Sequence, residues 1–315
     1  VDVIMATPPC QGMSTAGKKD EADERNLLIL PVIKAVKLIE PRFVFIENVT
    51  SLLSTSIEVD KKKFEIINLI TSELSFKYHI EVNSIDVSDY GVPQSRERAI
   101  ILLTRKDSNF IWRLPEKNKE KVTMRDAIGH LPIVDPFVKD ISNEERKIMF
   151  PLYEERRKKA LSISKWHTPP HHIKRQIIAM QHTETGKSAF DNLVYYPKKS
   201  DGKPVRGYRN TYKRQHWDRP AYTVTMDNRK ISSQNNVHPG RPYTENGELL
   251  YSDARALTLY EIMIIMSLPQ NWNLPSNASE AFVRRIIGEG IPPLFVEKVF
   301  KNLLYEMEDN RDGNA

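Results

Sequence analysis

Val1-Asp2-Val3-Ile4-Met5-Ala6-Thr7-Pro8-Pro9-Cys10-Gln11-Gly12-Met13-Ser14 opens the chain, and the rest of the sequence is organised around it. The apolar run over residues 1–5 predicts a buried strand. Pro8 and Pro9 stop that strand, because neither has an N–H for a sheet ladder and each restricts the residue before it. Gln11-Gly12 lets the backbone turn freely, which leaves the Cys10 thiol on a loop beyond the strand's carboxyl end. In open α/β sheets, ligands and chemistry gather at that edge. A lone cysteine is more often a small buried hydrophobe. Here the stiff Pro-Pro pair and the polar, glycine-containing exit point instead to an exposed nucleophile.

Further along, Leu28, Val32, Val36 and Ile39 keep roughly helical spacing over residues 26–40, with Pro31 expected to kink or restart the helix and Pro41 to end it. Phe43-Val44-Phe45-Ile46 predicts a second buried strand, with Glu47-Asn48-Val49 at its carboxyl end. Residues 61–74 read as an amphipathic helix with Phe64, Ile67, Leu69, Ile70 and Leu74 inward. Residues 78–85 and 98–104 read as strands. Strands separated by helices over this length define an α/β sheet. The pattern fails after residue 105. Residues 107–215 carry no long helical or strand period and are rich in Pro, Lys, His and Tyr, which predicts a second, loop-rich domain. Residues 221–227 alternate like a strand, 235–251 read as a turn-rich loop, and 256–266 look helical. A tight turn over 288–293 leads into a last helix over 294–308.

The 315 residues suffice for one large domain or two ordinary ones, and 40% hydrophobic content supports a real core. No run of eighteen apolar residues predicts a spanning helix, and the first residues lack the basic start of a signal peptide. A single cysteine excludes an internal disulfide framework and a cysteine-cluster metal site, so no metal is expected and a cytoplasmic location fits. The net charge of +6 is unevenly spread: residues 151–215 hold fifteen Lys and Arg against five Asp and Glu. Such a segment beside a neutral-to-acidic body suggests a gripped polyanion, although a solvated lysine-rich face is the plainer alternative. Trp166, Tyr195, Tyr196, Tyr208, Tyr212 and Trp217 are interleaved with these cations. Exposed aromatics among cations favour nucleic acid.

Cys10 and Glu47 thus fall at the same edge of one sheet. A thiol with a nearby carboxylic acid suits addition to an electrophilic ring that is protonated as it is attacked. Gln94-Ser95-Arg96-Glu97-Arg98 then enters a strand. Arginines two apart on an extended strand share a face, so both could reach one anionic or carbonyl-rich group.

With these residues in this order, the chain resembles the DNA cytosine-5 methyltransferase family almost end to end. Pro8-Pro9-Cys10-Gln11 resembles the family's nucleophile motif, Glu47-Asn48-Val49 its ENV motif, and Gln94, Arg96 and Arg98 its Gln-x-Arg-x-Arg motif. Arg219-Pro220 through Thr223-Val224, with His238-Pro239 and residues 255–261, resembles the block after the recognition region, and residues 288–293 resemble the final cofactor motif. The resemblance implies a Rossmann-like, S-adenosylmethionine-dependent methyltransferase sheet of α/β class with a smaller loop-rich target-recognition domain. Residues 1–106 would be the central catalytic part, 107–254 the target-recognition domain, and 255–315 the return to the catalytic domain.

The roles implied follow residue by residue. Cys10 adds to carbon 6 of a cytosine flipped out of duplex DNA. Glu47 protonates ring nitrogen 3, so it must hold a proton near neutrality. Arg98 holds the ring carbonyl, and Arg96 neutralises charge near the thiolate. Pro9, Leu28 and Gly290 fall at cofactor positions; Gln11, Ser14, Gln94 and Thr223 fall at DNA positions. Two features depart from the family. No Gly-rich cofactor motif precedes Val1, so the sheet is expected to be N-terminally incomplete by two to three βα units, about 60 to 90 residues at about 30 each. Those motifs would come from an upstream segment or a second chain. Glu289 stands where the family usually has Asn, and its carboxylate would oppose the cofactor's own unless turned away or paired. Two rival readings are a degenerate DNA-binding module without catalysis and a tRNA cytosine-5 methyltransferase. The tRNA branch has a short recognition region and a Cys-Phe-Thr signature, which this chain lacks.

Overall fold

The run before Pro8 forms β1, Val3–Ala6, and it pairs in parallel with β2, Phe43–Asn48. Between them lies α1, Ile29–Ile39, entered through a 3-10 turn over Glu24–Leu28. Pro31 restarts rather than kinks this helix: it is the third residue, where an N–H would have no partner inside the helix. The computed structural model describes residues 1–9, 24–59, 61–192, 194–199, 201–205, 209–232, 234–275 and 277–312. The chain divides into two compact units. Val1–Tyr90, Glu97–Asn118 and Val296–Ala315 form the first; Gly91–Arg96 and Lys119–Phe295 form the second.

In the first unit, β3 (Ser56–Val59) and β4 (Lys62–Glu65) make a hairpin, followed by α2, Ile66–Leu74. The helix expected from residue 61 therefore begins five residues later. Glu58 faces Lys63 and Ile57 faces Phe64 across the hairpin, and such pairs stabilise strands where one apolar stripe would have suited a helix. Phe64 is left exposed rather than inward. β5 (Tyr78–Asp86) and β6 (Glu97–Arg105) complete a four-stranded mixed sheet ordered β1-β2-β6-β5, with β6 antiparallel to both neighbours.

Strand alternation divides β2 between two faces. Val44 and Ile46 bury against Ile29, Ile33 and Val36 of α1 and Ile66, Ile70 and Leu74 of α2. Phe43 and Phe45 face the other way, onto Trp112 at ring separations of 6.0 and 6.4 Å. The last helix packs on that second face: Phe300 stands 5.3 Å from the Trp112 ring, and Trp112 Nε1 donates to the Val299 carbonyl at 3.3 Å.

The second unit is richer in regular structure than its sequence suggests. It holds α3 (Met124–Ile128), α4 (Asn143–Met149), α5 (Tyr153–Ile163) and α6 (Lys174–Gln181), with a short parallel pair of β7 (Phe137–Val138) and β8 (His171–His172). α5 escapes periodicity because Ala160 is its single buried residue. The loop expected over 235–251 contains a hairpin, β9 (Pro242–Glu245) and β10 (Glu248–Tyr251), turned by Asn246 and Gly247 at φ 49° and 82°. Residues 221–227 form no strand; Ala221 makes one isolated bridge to Gln94.

α7 (Leu259–Ile265) and α8 (Glu280–Glu289) share one core with Met124, Ile128, Trp217, Ala221 and Val224. The compact units change at 90/91, 96/97, 118/119 and 295/296. Trp112 ties the residues after 106 to the sheet, and the core of α7 and α8 ties 255–295 to the second unit. α9, Pro293–Asp312, runs from the end of the second unit into the first.

At the centre of the second unit Arg255 is fully buried. It meets Glu261 through two bonds of 2.8 and 2.9 Å and Asp253 through one of 2.9 Å. Two carboxylates compensate its charge, which is the condition under which a buried guanidinium is tolerated.

Candidate active site

Glu47 is the fifth residue of β2, so it shares the face of Phe43 and Phe45. Across the ladder, Glu47 lies opposite Ile100, which puts Arg98 diagonally beside it on that face. Arg98 Nε donates to Glu47 Oε1 at 2.7 Å, and its Nη1 donates to the Glu97 carbonyl at 2.7 Å. Both side chains are mostly covered, at 11% and 13% exposure, yet reach the strand's carboxyl end. A carboxyl group thus stands hydrogen-bonded to a guanidinium at the end of β2.

Asn48 is buried and closes the same strand end. Its Nδ2 donates to the Pro8 carbonyl at 2.9 Å, while its Oδ1 accepts from Val49 N at 2.9 Å. The backbone that leads into Cys10 is therefore held to the strand carrying Glu47. The sequence placed Asn48 in the Glu47-Asn48-Val49 motif at the strand's end but assigned it no role. Cys10, Gln11 and Ser14 lie outside the described residues. Pro9 is exposed, and Leu28 keeps 39% exposure on its 3-10 turn.

Gln94, Arg96 and Thr223 belong to the second unit, where they join two chain segments. Ser95 N donates to the Ala221 carbonyl, Ala221 N donates to the Pro93 carbonyl, and Thr223 Oγ1 donates to the Ser95 carbonyl at 2.8 Å. Gln94 is fully buried, accepting from Val224 N at 2.9 Å and donating to the Met266 sulfur. Its side chain offers no surface to DNA in this conformation. Arg96 is 2% exposed and donates to the carbonyls of Val224 (2.8 Å), Gly288 (3.0 Å) and Gly290 (2.9 Å). Arg96 and Arg98 thus spend their donors on separate partners.

Gly288 is obligatory by packing: a Cβ there would lie 2.3 Å from the Thr225 carbonyl oxygen and 2.5 Å from Met226 N. At Gly290 a Cβ would meet ordinary contacts of 3.6 Å and more. Glu289 is ion-paired with Arg285 at 3.1 Å, so its charge is engaged along its own helix.

The basic stretch divides by burial. Lys158, Lys159, Lys165, Arg175, Lys187, Lys198, Lys199 and Lys203 are exposed. Arg214 is instead fully buried, with its guanidinium on the carbonyls of Met180, His238 and Tyr251, and burial pushes its pKa down to about 9. The aromatics do not form the exposed set that was expected. Trp217 is buried and donates to the Gly240 carbonyl at 2.7 Å, and Trp166 packs on the core of α7. Tyr195 stacks on His182 at 3.7 Å, and Tyr208 is outside the described residues.

A mixed α/β sheet thus carries a hydrogen-bonded acid and guanidinium at the end of β2, with the Pro8 backbone tethered to the same strand. Two solved structures share the fold. A prophage-encoded DNA modification methyltransferase (E. coli) matches with TM-score 0.61 at 20% identity, over 98% of this chain and 80% of that one. The methyltransferase EhMeth of Entamoeba histolytica matches with TM-score 0.55 at 13% identity, over 97% and 78%. The C-5 cytosine-specific DNA methylase family model matches residues 1–305. The Type II methyltransferase M1.HgaI of Avibacterium volantium is 42% identical over 311 residues, covering 97% of this chain and 79% of that protein. M1.HphI of Haemophilus parahaemolyticus, also a Type II methyltransferase, is 28% identical over 96% and 68%. The chain belongs to the C-5 cytosine-specific DNA methylases. It is a DNA cytosine-5 methyltransferase, and DNA is its substrate.

Proposed function

We propose that this chain methylates a flipped cytosine by covalent catalysis at the end of β2, as part of a Type II restriction–modification system in the cytoplasm. The Arg98–Glu47 hydrogen bond of 2.7 Å carries this reading, because it places an acid and an oxygen-binding cation side by side. Cys10, as thiolate, forms a bond to ring carbon 6. Glu47 gives a proton to ring nitrogen 3 as that bond forms, so the added electron pair resides in an enamine nucleophilic at carbon 5. Arg98 holds the ring carbonyl oxygen. After methylation, a water molecule takes the carbon 5 proton, which restores the ring double bond, expels Cys10 as thiolate and returns the nitrogen 3 proton to Glu47.

S-adenosylmethionine supplies the methyl group when bound. The described residues at its expected positions fit: Pro9 and Leu28 offer uncharged exposed surface, Gly290 leaves space at its Cα, and Glu289 is paired with Arg285. The exposed lysines and arginines between residues 151 and 215 suit phosphates of duplex DNA. No helix among the described residues is long and apolar enough to cross a membrane.

Incubation with duplex DNA containing 5-fluorocytosine and S-adenosylmethionine tests the reading. Fluorine cannot leave as a cation, so a covalent protein–DNA adduct should accumulate and should vanish in Cys10→Ser. No adduct with Cys10 intact would overturn the reaction, and an adduct with tRNA alone would replace the substrate.

A further inference from the structure

We infer that Arg96 is a positioning residue, a three-carbonyl clamp that fixes the backbone of the Gly288–Gly290 turn. A guanidinium offers its donors in a rigid planar fork, and here Nη1 and Nη2 donate to three main-chain oxygens. Nη2 bridges the carbonyls of Gly288 and Gly290, two residues apart at the end of α8, and Nη1 takes the carbonyl of Val224. Helix ends leave carbonyls without intrahelical partners, and a buried carbonyl without a donor is costly. Arg96 satisfies those carbonyls from a segment that is itself fastened: Ser95 is bonded to Ala221 and Thr223, and Gln94 to Val224.

Gly288 shows why the turn needs this support. Its missing side chain lets α8 lie directly on the Thr225–Met226 backbone, at a distance no Cβ would permit. Arg96 reaches the Val224 carbonyl, next to that contact, and the Gly288 carbonyl within it. It therefore closes a bracket around the approach of the two backbones. The part of the inference that concerns the cofactor rests on the proposed role of Gly290. With the clamp in place, the Gly290 backbone is held rigid before any cofactor arrives.

The alternative, a cation lowering the thiolate's energy, makes different demands. Charge at the nucleophile would be restored by lysine, whereas the clamp would not, because an ammonium lacks the planar fork that spans three carbonyls. The test compares Arg96→Met and Arg96→Lys in the full chain by three readouts. Amide hydrogen exchange should rise at least tenfold over residues 286–291 in both variants. The pH midpoint of iodoacetamide alkylation of Cys10, the chain's single thiol, should stay at the wild-type value in both. The KM for S-adenosylmethionine should rise about tenfold or more with a smaller change in kcat, unrescued by lysine. Unchanged exchange over 286–291, or an alkylation midpoint that rises in Arg96→Met and returns in Arg96→Lys, would overturn the clamp. Exchange and alkylation do not require turnover. A wild-type protein that makes no methylated DNA would thus count against the proposed reaction, while these two readouts still decide the clamp.

Discussion

Arg98 Nε donates to Glu47 Oε1 at 2.7 Å across a diagonal of the β2–β6 ladder, so the acid and the cation proposed to hold the cytosine ring are already joined without it. The pair is mostly covered, and each member orients the other. Glu47→Gln preserves the shape and removes the acid. Single-turnover methyl transfer should fall by about 10²–10⁴-fold, with DNA binding retained. Quenched-flow methylation with excess enzyme measures this, and an undiminished rate would remove Glu47 from the chemistry.

Asn48 is the second member of that strand end. Asn48→Ala removes the donor from the Pro8 carbonyl, and Asn48→Asp sets a carboxylate against it. Both should slow methyl transfer, the aspartate more than the alanine, because an acceptor facing an acceptor is worse than an unmade bond. Parallel kinetics of Cys10 alkylation report whether the turn has moved. Equal effects of the two variants would argue against a hydrogen-bonded tether.

The two glycines of the 288–290 turn should behave oppositely. Gly288→Ala forces a Cβ to within 2.3 Å of the Thr225 carbonyl and should destabilise the protein by about 1–3 kcal/mol. Gly290→Ala meets nothing nearer than 3.6 Å and should leave the thermal midpoint almost unchanged, while weakening S-adenosylmethionine binding. Differential scanning fluorimetry with and without cofactor separates the two.

Stability should fall on the acid side through buried histidines. Burial pushes the pKa of His238 down to about 4 and that of His172 to about 3, from an ordinary value near 6.5. Both are therefore neutral in the fold, and the unfolded chain binds more protons as pH drops. Their contribution is complete above about pH 6.5 and is lost as pH falls through the interval down to about 4. The loss reaches on the order of 3 kcal/mol for each histidine at the bottom of that window. Asp253 and Glu261, which face His238, stay ionised there, because the Arg255 guanidinium holds their carboxyls low. Urea titrations between pH 7.5 and 5 should show declining stability, with a flatter decline in His172→Gln, whose amide oxygen can still accept from Ala256 N. A pH-independent midpoint would contradict this.

Much of the first unit can be read directly in residue order. The apolar run before Pro8 and the run Phe43–Ile46 are strands because local periodicity and proline punctuation settle them, and Glu47 falls at a strand end for the same reason. The order of motifs was enough to place the chain among cytosine-5 methylases, since motif identity depends on local residues and spacing. Local signals failed where a long-range partner chose between two acceptable states. Residues 62–65 had a helical stripe but pair as a strand, and Trp217, set among cations, is a core residue.

The final division concerns the three residues Gln94, Arg96 and Arg98. Their spacing identified the motif, and period-two alternation put both arginines on one face. In the structure Arg96 lies just before the strand. β6 begins at Glu97, so the alternation does not extend back to Arg96. Arg98 finds Glu47 because two strands set it diagonally opposite; Arg96 finds the carbonyls that a helix end and a distant loop leave unpaired. Which donor meets which acceptor depends on contacts up to 194 residues apart, and no local pattern encodes that distance.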